Sequence, residues 1–187
     1  MSDAADMDTI RLGLLVETFN QLFSDSFNTR LIGGADEPFY QPADADCHYH
    51  RLYFREDFLS SALHEISHWC IAGEERRKLP DFGYWYEPEG RSQEQQHQFE
   101  QVEIRPQALE WHLSVACRQR FRVSADNISA GIGASDTFLS DVASQARRWC
   151  EGENLPPRAR LLQDQLASRF DVADPRNPAH YTLGLLC

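Results

Sequence analysis

The sequence predicts an α+β fold, in which a single domain over residues 1–187 is mostly helical and carries a small sheet. Three observations predict it. Most of the chain repeats apolar residues at helical spacing, one stretch alternates apolar and polar residues between turn-forming residues, and an H-E-x-x-H motif lies in an apolar segment. A chain of 187 residues buries about 70 % of the surface that its unfolded form exposes, so one domain needs no disulfide or metal for stability.

The N-terminal part is predicted to form one helix and three short strands. Apolar residues repeat at helical spacing over residues 8–23, which indicates an amphipathic helix packed across the core. Residues 29–34, 37–41 and 49–55 alternate β-branched or aromatic residues with polar ones, and Gly-Gly, Pro and Asp clusters separate them. The last of these strands leads directly into the next helix.

Residues 58–72 are predicted to form a largely buried helix, with Gly73 as its C-cap. Within it, His64 and His68 are four residues apart, which places both imidazoles on one face, and Glu65 points to the neighbouring edge. A helix offers two nitrogen ligands to one metal ion in this way. The alternative is a pair of histidines that only form hydrogen bonds in the core, and the accompanying Glu65 makes this interpretation the less favoured one.

The rest of the chain is predicted to be helical apart from two irregular segments. Residues 74–92 are expected to form a loop whose aromatic residues 84–86 act as a substrate lid or pack back onto the core. Three segments have helical patterns, namely residues 93–120, 135–151 and 156–170. In the first of them, Pro106 either begins a second helix or kinks a single one. The tail from residue 171 is expected to be irregular.

Composition excludes several classes of protein. The net charge of −11 argues against binding to a nucleic-acid backbone and permits a cationic partner. Five cysteines without C-x-x-C spacing fit neither a disulfide framework nor a structural zinc knuckle. No apolar run reaches the ~20 residues that span a bilayer, and the acidic N-terminus is not a signal peptide. We therefore expect a cytoplasmic protein, monomeric, that binds neither nucleic acid nor a membrane.

A metal held by two imidazoles needs a third protein ligand if it is to form an open catalytic site. The helical segment after the aromatic loop offers Glu100, Glu103 and Glu110, and we favour Glu103, with Glu100 as the next candidate. The alternative for each is a solvated carboxylate on a helix surface. His48 and His50 precede the motif helix and could line the site, although ordinary histidines on a strand are the favoured interpretation.

Two histidines and one carboxylate describe both a hydrolytic zinc centre and the facial triad of non-haem iron oxygenases. In the hydrolytic interpretation, Glu65 deprotonates a metal-bound water that attacks a carbonyl. In the oxygenase interpretation, Glu65 orients groups around the metal or relays protons. Glu65 is thus the candidate catalytic residue in both, and spacing alone does not choose the ion.

Longer stretches of the chain than the motif resemble the bacterial elongation factor P hydroxylase family. The resemblance is strongest over residues 62–73 and 99–111, and residues 12–27 and 84–88 support it, so that nearly the full length is covered. Members of that family hydroxylate the lysine of elongation factor P that already carries a β-lysyl group. They are described as metal-dependent, with a zincin-like site rather than that of a jelly-roll oxygenase.

The resemblance implies metal-dependent hydroxylation of the β-lysylated lysine of elongation factor P, the expected protein substrate. It implies His64, His68 and Glu103 as the metal ligands. Fe(II) is the expected ion, with zinc as the alternative, and molecular oxygen is the expected co-substrate. A zinc metallopeptidase that uses the same site is the competing function, and a binding module for the modified factor is a third. The residues leave open the electron donor, a 2-oxoacid requirement, the carbon that is hydroxylated and the oligomeric state.

Overall fold

Five α-helices pack with a three-stranded sheet in the part of the chain that the computed structural model describes, which is residues 2–83, 92–124 and 133–186. The predicted α+β class with a majority of helix is confirmed. The helices are α1 (Ser2–Phe23), α2 (Leu59–Ile71), α3 (Gln93–Ala116), α4 (Asp136–Cys150) and α5 (Pro157–Arg169), and the strands are β1 (Thr29–Ala35), β2 (Phe39–Gln41) and β3 (His50–Arg55). Of these helices, none is long and apolar enough to cross a membrane.

The three strands form at the predicted places, and β3 lies in the middle of the sheet. It pairs in parallel with β1 and antiparallel with β2. The paired residues Leu31, Leu52 and Tyr40 are all buried, so one face of the sheet belongs to the core. The backbone N–H of Arg55 at the end of β3 donates to the Ser61 hydroxyl on α2, 3.0 Å away. This bond fixes the start of α2 against the sheet.

Helix α1 begins earlier than the predicted residue 8. It starts at Ser2, because residues 2–7 contain neither glycine nor proline and acidic groups near a helix N-terminus are favourable. The apolar repeat marks only the part of the helix that packs on the core. There, Phe19 and Phe23 contact Trp69 of α2 with ring centroids 5.1 and 4.9 Å away.

The prediction that Gly73 is the C-cap of α2 is wrong. The helix ends with Ala72 as its C-cap, in an extended conformation with φ −57° and ψ 124°, so the chain needs no left-handed residue at Gly73. Arginine side chains take over the role of the cap. Arg158 of α5 donates to the carbonyls of Trp69, Cys70 and Ala72 at distances of 2.7 to 3.0 Å.

Helix α3 runs without a break through Pro106, which settles the two alternatives in favour of a single helix. An interior proline costs about 3 kcal/mol, and packing of α3 against α2, α4 and α5 offsets that cost. The helix ends at Ala116, four residues before the predicted residue 120. Arg118 then adopts a left-handed conformation with φ 53°, and the Gln119 N–H donates to the Ser114 carbonyl, which turns the chain back.

Buried apolar side chains from all five helices and the sheet form one core cluster. The tail is irregular as predicted, with short 3-10 turns at Pro178–His180 and Leu183–Leu185. Its Tyr181 is fully buried and stacks on His112 of α3, so the tail belongs to the core. The four described cysteines are free.

Candidate metal centre

Helices α2 and α3 bring the three predicted ligands together. One donor atom from each of His64, His68 and Glu103 lies within 4.8 Å of the other two. The Nε2 atoms of the two histidines are 3.1 Å apart, and Nε2 of His68 is 3.2 Å from Oε1 of Glu103. Nε2 of His64 is 3.7 Å from Oε2 of the same carboxylate. The three side chains therefore converge on one point between the two helices.

These distances fit a divalent cation. Nitrogen and oxygen ligands bind such ions at about 2.0–2.2 Å, so two atoms in adjacent positions on one ion lie about 3 to 3.6 Å apart. The two shortest separations in the cluster, 3.1 and 3.2 Å, lie in that range. Two neutral imidazoles and one carboxylate also suit zinc and iron equally well. The geometry accepts a metal, and the assignment of these residues as ligands stays a prediction.

The buried face of α2 explains why the two imidazoles point at α3. Leu63, Ile66 and Trp69 are fully buried on the core side of the helix. They fix the rotation of α2 about its axis, so that residues 64 and 68 project together from another face. Sequence spacing alone is sufficient to predict this half of the site.

Glu110 acts on His64 from the other side of the ring. Its Oε2 is 2.9 Å from Nδ1 of His64, close enough for the ring N–H to donate to the carboxylate. That hydrogen bond directs Nε2 of His64 toward His68 and Glu103, where a metal ligand needs its free nitrogen. The sequence offered Glu110 only as one of three carboxylates, and its contact with His64 could not be read from spacing.

Glu100 lies outside the cluster, although it is as deeply buried as Glu103. Its two oxygens accept hydrogen bonds from the backbone N–H and the hydroxyl of Ser135, at 2.9 and 2.6 Å. Ser135 is the N-cap of α4 and accepts a hydrogen bond from the Phe138 N–H. Glu100 thus joins α3 to the start of α4, and the geometry favours Glu103 as the third ligand.

The electrostatics of the cluster favour a cation. Burial alone would raise the pKa of Glu103, but the charges and hydrogen bond of His68 and the charge of His64 more than offset it and lower the pKa. For His64, burial alone would lower the pKa. The hydrogen bond to Glu110 and the charges of Glu103 and Glu110 outweigh burial, so the pKa of His64 is raised overall. Surroundings that raise the pKa of a histidine favour positive charge, which a proton or a divalent ion can supply.

Glu65 lines the cavity beside this cluster. Burial raises the pKa of its carboxyl, although His64 and His68 act in the opposite direction. Within the described chain it forms no hydrogen bond or ion pair, unlike Glu103 and Glu110. A carboxyl group with a raised pKa that faces an open space is suited to take up or release a proton during a reaction.

A cavity of about 630 Å³ lies over the cluster. Its floor includes His64, Glu65, Glu103 and Glu110, and one wall is the segment of residues 119–124. That wall was missed in the sequence. The signal that could have revealed it is the alternation of apolar and polar residues directly after α3. The predicted lid at residues 84–86 lies outside the described residues.

The remaining histidines near the motif lie away from the cavity lining. Nδ1 of His50 accepts a hydrogen bond from the Ala43 N–H at 2.9 Å, and its ring stacks on Tyr40. The ring of His48 contacts that of Tyr49. His50 begins β3, as the favoured interpretation predicted, whereas His48 lies just before the strand.

Comparison with known proteins agrees with the resemblance found in the sequence. The model of the family described as elongation factor P hydroxylase matches residues 18–180. A protein of Haemophilus influenzae described as elongation factor P lysine hydroxylase is 47 % identical over 167 residues, which cover 89 % of this chain and 93 % of the relative. Neither match supports the zinc metallopeptidase alternative. The chain therefore belongs to the elongation factor P hydroxylase family, as the motif helix and its neighbouring stretches predicted.

Proposed function

We propose that this protein hydroxylates a lysine side chain of elongation factor P, the activity named for its relative. The observation that carries the proposal is the convergence of His64, His68 and Glu103 below an open cavity in a member of this family. The substrate is the form of the factor whose lysine already bears a β-lysyl group. Such an enzyme works where translation takes place, in the cytoplasm.

The three converging side chains hold the metal, and Fe(II) is the ion that we propose. When bound, this ion supplies the redox chemistry by which dioxygen gives one oxygen atom to a C–H bond, while two electrons and two protons from a reductant convert the other atom to water. The site is zincin-like in that an H-E-x-x-H helix provides two of the ligands and a second helix provides the carboxylate.

Each side chain around the metal has a distinct role in this proposal. Glu110 orients the His64 ring through the Nδ1 hydrogen bond. Glu65 exchanges a proton with the bound substrate or with water, since it faces the cavity and its pKa is raised. Gln107 holds Glu103 through a hydrogen bond of 3.4 Å from its side-chain amide.

The cavity suits a long cationic side chain. Its volume of about 630 Å³ lies within the range of about 300–1,000 Å³ found for small-ligand sites. Three carboxyl groups line its floor, those of Glu65, Glu103 and Glu110, and burial raises the pKa of the first and the last. A lysine extended by a β-lysyl group carries amines at its tip, so the floor attracts it while the protein main chain stays at the mouth.

Intact-mass analysis tests the proposal. β-Lysylated elongation factor P is incubated with this protein, ferrous iron, a reductant and air, and we expect a gain of one oxygen atom, about 16 Da. A chelated sample and the folded His64→Ala protein should both leave the mass unchanged. A gain of equal size in the His64→Ala sample would refute the proposed site, and cleaved fragments would point back to a peptidase.

A further inference from the structure

The cavity wall at residues 119–124 follows a course that α3 determines. After the left-handed turn at Arg118, the chain runs back along α3 toward its N-terminal half. The Phe121 ring stacks on Trp111, with centroids 5.5 Å apart and planes inclined by 19°. Three residues later, Ser124 reaches Gln107, which lies one turn before Trp111 on the same helix. The wall is therefore antiparallel to α3 and leads from its end toward the metal cluster.

Two contacts hold this wall in place. Phe121 is buried against the core. At Ser124, the Gln107 side-chain amide donates to the backbone carbonyl at 2.8 Å, and its oxygen accepts from the backbone N–H at 3.0 Å. Gln107 is itself only 1 % exposed. An amide that satisfies both main-chain groups of one residue does what a neighbouring strand would do.

Between these two fixed points, the wall exposes groups for which the described part of the chain offers no partner. The main-chain N–H and C=O groups of residues 121–123 form no hydrogen bond within the described ranges. Arg122 is exposed and lines the cavity, and no described residue forms an ion pair with it. By contrast, at least nine other arginines form ion pairs on this acidic protein. Among the described residues, Arg122 is thus a cation on the cavity lining without an acidic partner, near the carboxyl groups of the floor.

We propose that residues 119–124 form a docking rim for the extended peptide segment of the protein substrate that carries the target lysine, and that Arg122 binds a carboxylate of that segment. This inference rests on the proposed function. The lysine enters the acidic floor while its main chain lies along the rim, whose main-chain groups at residues 121–123 have no partner among the described residues. The charges then select a segment in which a basic side chain is flanked by an acidic one.

A charge reversal at Arg122 tests the rim. Binding of β-lysylated elongation factor P to the metal-loaded protein is measured without reductant, so that no turnover occurs. Arg122→Glu should weaken the Kd about tenfold or more, and in turnover assays should raise KM with kcat nearly unchanged. Arg160→Glu is the matched control, because Arg160 is also exposed, forms no ion pair with any described residue and does not line the cavity. It should change the Kd less than twofold.

Charge exchange on the substrate gives a second measurement. Acidic residues near the target lysine are replaced by lysine one at a time, and one such replacement should restore binding to the Arg122→Glu protein while weakening binding to the wild type. If Arg122→Glu binds as tightly as Arg160→Glu, the rim is overturned, whatever the turnover. Conversely, if binding depends on Arg122 but the substrate gains no mass, the docking rim is supported and the proposed hydroxylase activity is refuted.

Discussion

Two histidines, His112 buried in the core and His64 half-buried at the cavity floor, have opposite electrostatic surroundings. His112 has neutral partners: Nε2 lies 2.9 Å from the Ala146 carbonyl, and Nδ1 lies 3.1 Å from the Gln163 amide nitrogen. Burial lowers the pKa of His112 to about 4. His64 loses water as well, yet the carboxylates of Glu110 and Glu103 raise its pKa overall.

The difference shows that burial does not decide what a histidine does; its partners do. A ring between a carbonyl and an amide stays neutral and contributes to packing and hydrogen bonding. A ring between carboxylates attracts positive charge, and a divalent ion can replace the proton. The same helix, α3, supplies His112 to the core and the two carboxylates to the site. Substitutions in the core should therefore lower stability, and substitutions in the site should lower metal affinity.

The largest expected effect comes from exchanging the two histidines for alanine. His64→Ala should reduce metal affinity by more than about 100-fold, because it removes a ligand and not merely a group that orients one. His112→Ala should keep the metal and lower the free energy of unfolding by about 2–4 kcal/mol, since it leaves a cavity and removes the side-chain hydrogen bonds to Gln163 and to the Ala146 carbonyl. Titration with Co(II) and urea unfolding of the metal-free proteins measure the two effects. Metal loss in His112→Ala at full stability would contradict the comparison.

Glu103 and Glu100, one turn apart on α3, allow the same comparison between a residue of the predicted metal site and a residue that stabilises the fold. Glu103→Gln should weaken Co(II) binding by more than about 100-fold, because it removes the only negative charge in the predicted ligand set. Glu100→Gln should leave binding unchanged and cost about 1–3 kcal/mol of stability, since a neutral amide replaces a charged acceptor of two Ser135 hydrogen bonds. If Glu100→Gln loses the metal instead, the order of the two candidates is reversed.

A smaller effect is expected from Glu110, which contacts His64 without joining the cluster. Glu110→Ala should lower metal affinity about 10- to 100-fold, the usual loss when a group that orients a ligand is removed. Glu110→Gln keeps an acceptor for the His64 N–H and should recover most of that affinity. Equal losses in both variants would mean that the charge of Glu110, and not the orientation of the ring, is what matters.

Much of the fold could be predicted because periodicity reports burial. The strands, the motif helix and the last two helices all form where apolar residues repeat with the right period. The errors fall where that signal ends. Helix α1 continues through residues 2–7 without an apolar repeat, and α2 ends without its glycine cap because Arg158, distant in sequence, binds its last carbonyls.

Within the site, spacing predicts only what lies on one helix. His64, Glu65 and His68 follow from the motif, whereas the partners of Glu100, Glu103 and Glu110 depend on which helix each carboxylate faces. Ser135 lies 35 residues beyond Glu100, and His64 lies 46 residues before Glu110. No local pattern connects such pairs. The alternation after α3 could have predicted an extended segment at the cavity wall, but not its place beside the site, since its anchor residues belong to α3.

The smallest expected effect is the pH dependence of stability, and it sharpens the contrast between the two histidines. With a folded pKa of about 4 and an ordinary value of 6.5, His112 takes up a proton more readily when unfolded, so stability falls as the pH drops from 6.5 toward 4. His64 has a raised pKa, so its contribution is fully present below 6.5 and is lost only as the pH rises above that value. Between pH 7 and 5, urea unfolding of the metal-free protein should therefore lose about 2 kcal/mol through His112. Over the same pH range, the free energy of unfolding of the His112→Gln protein should fall by about 2 kcal/mol less than that of the wild type. Burial also lowers the pKa of His50, but this contribution is the same in both proteins. Identical pH profiles for the two proteins would show that His112 is not held neutral by the core.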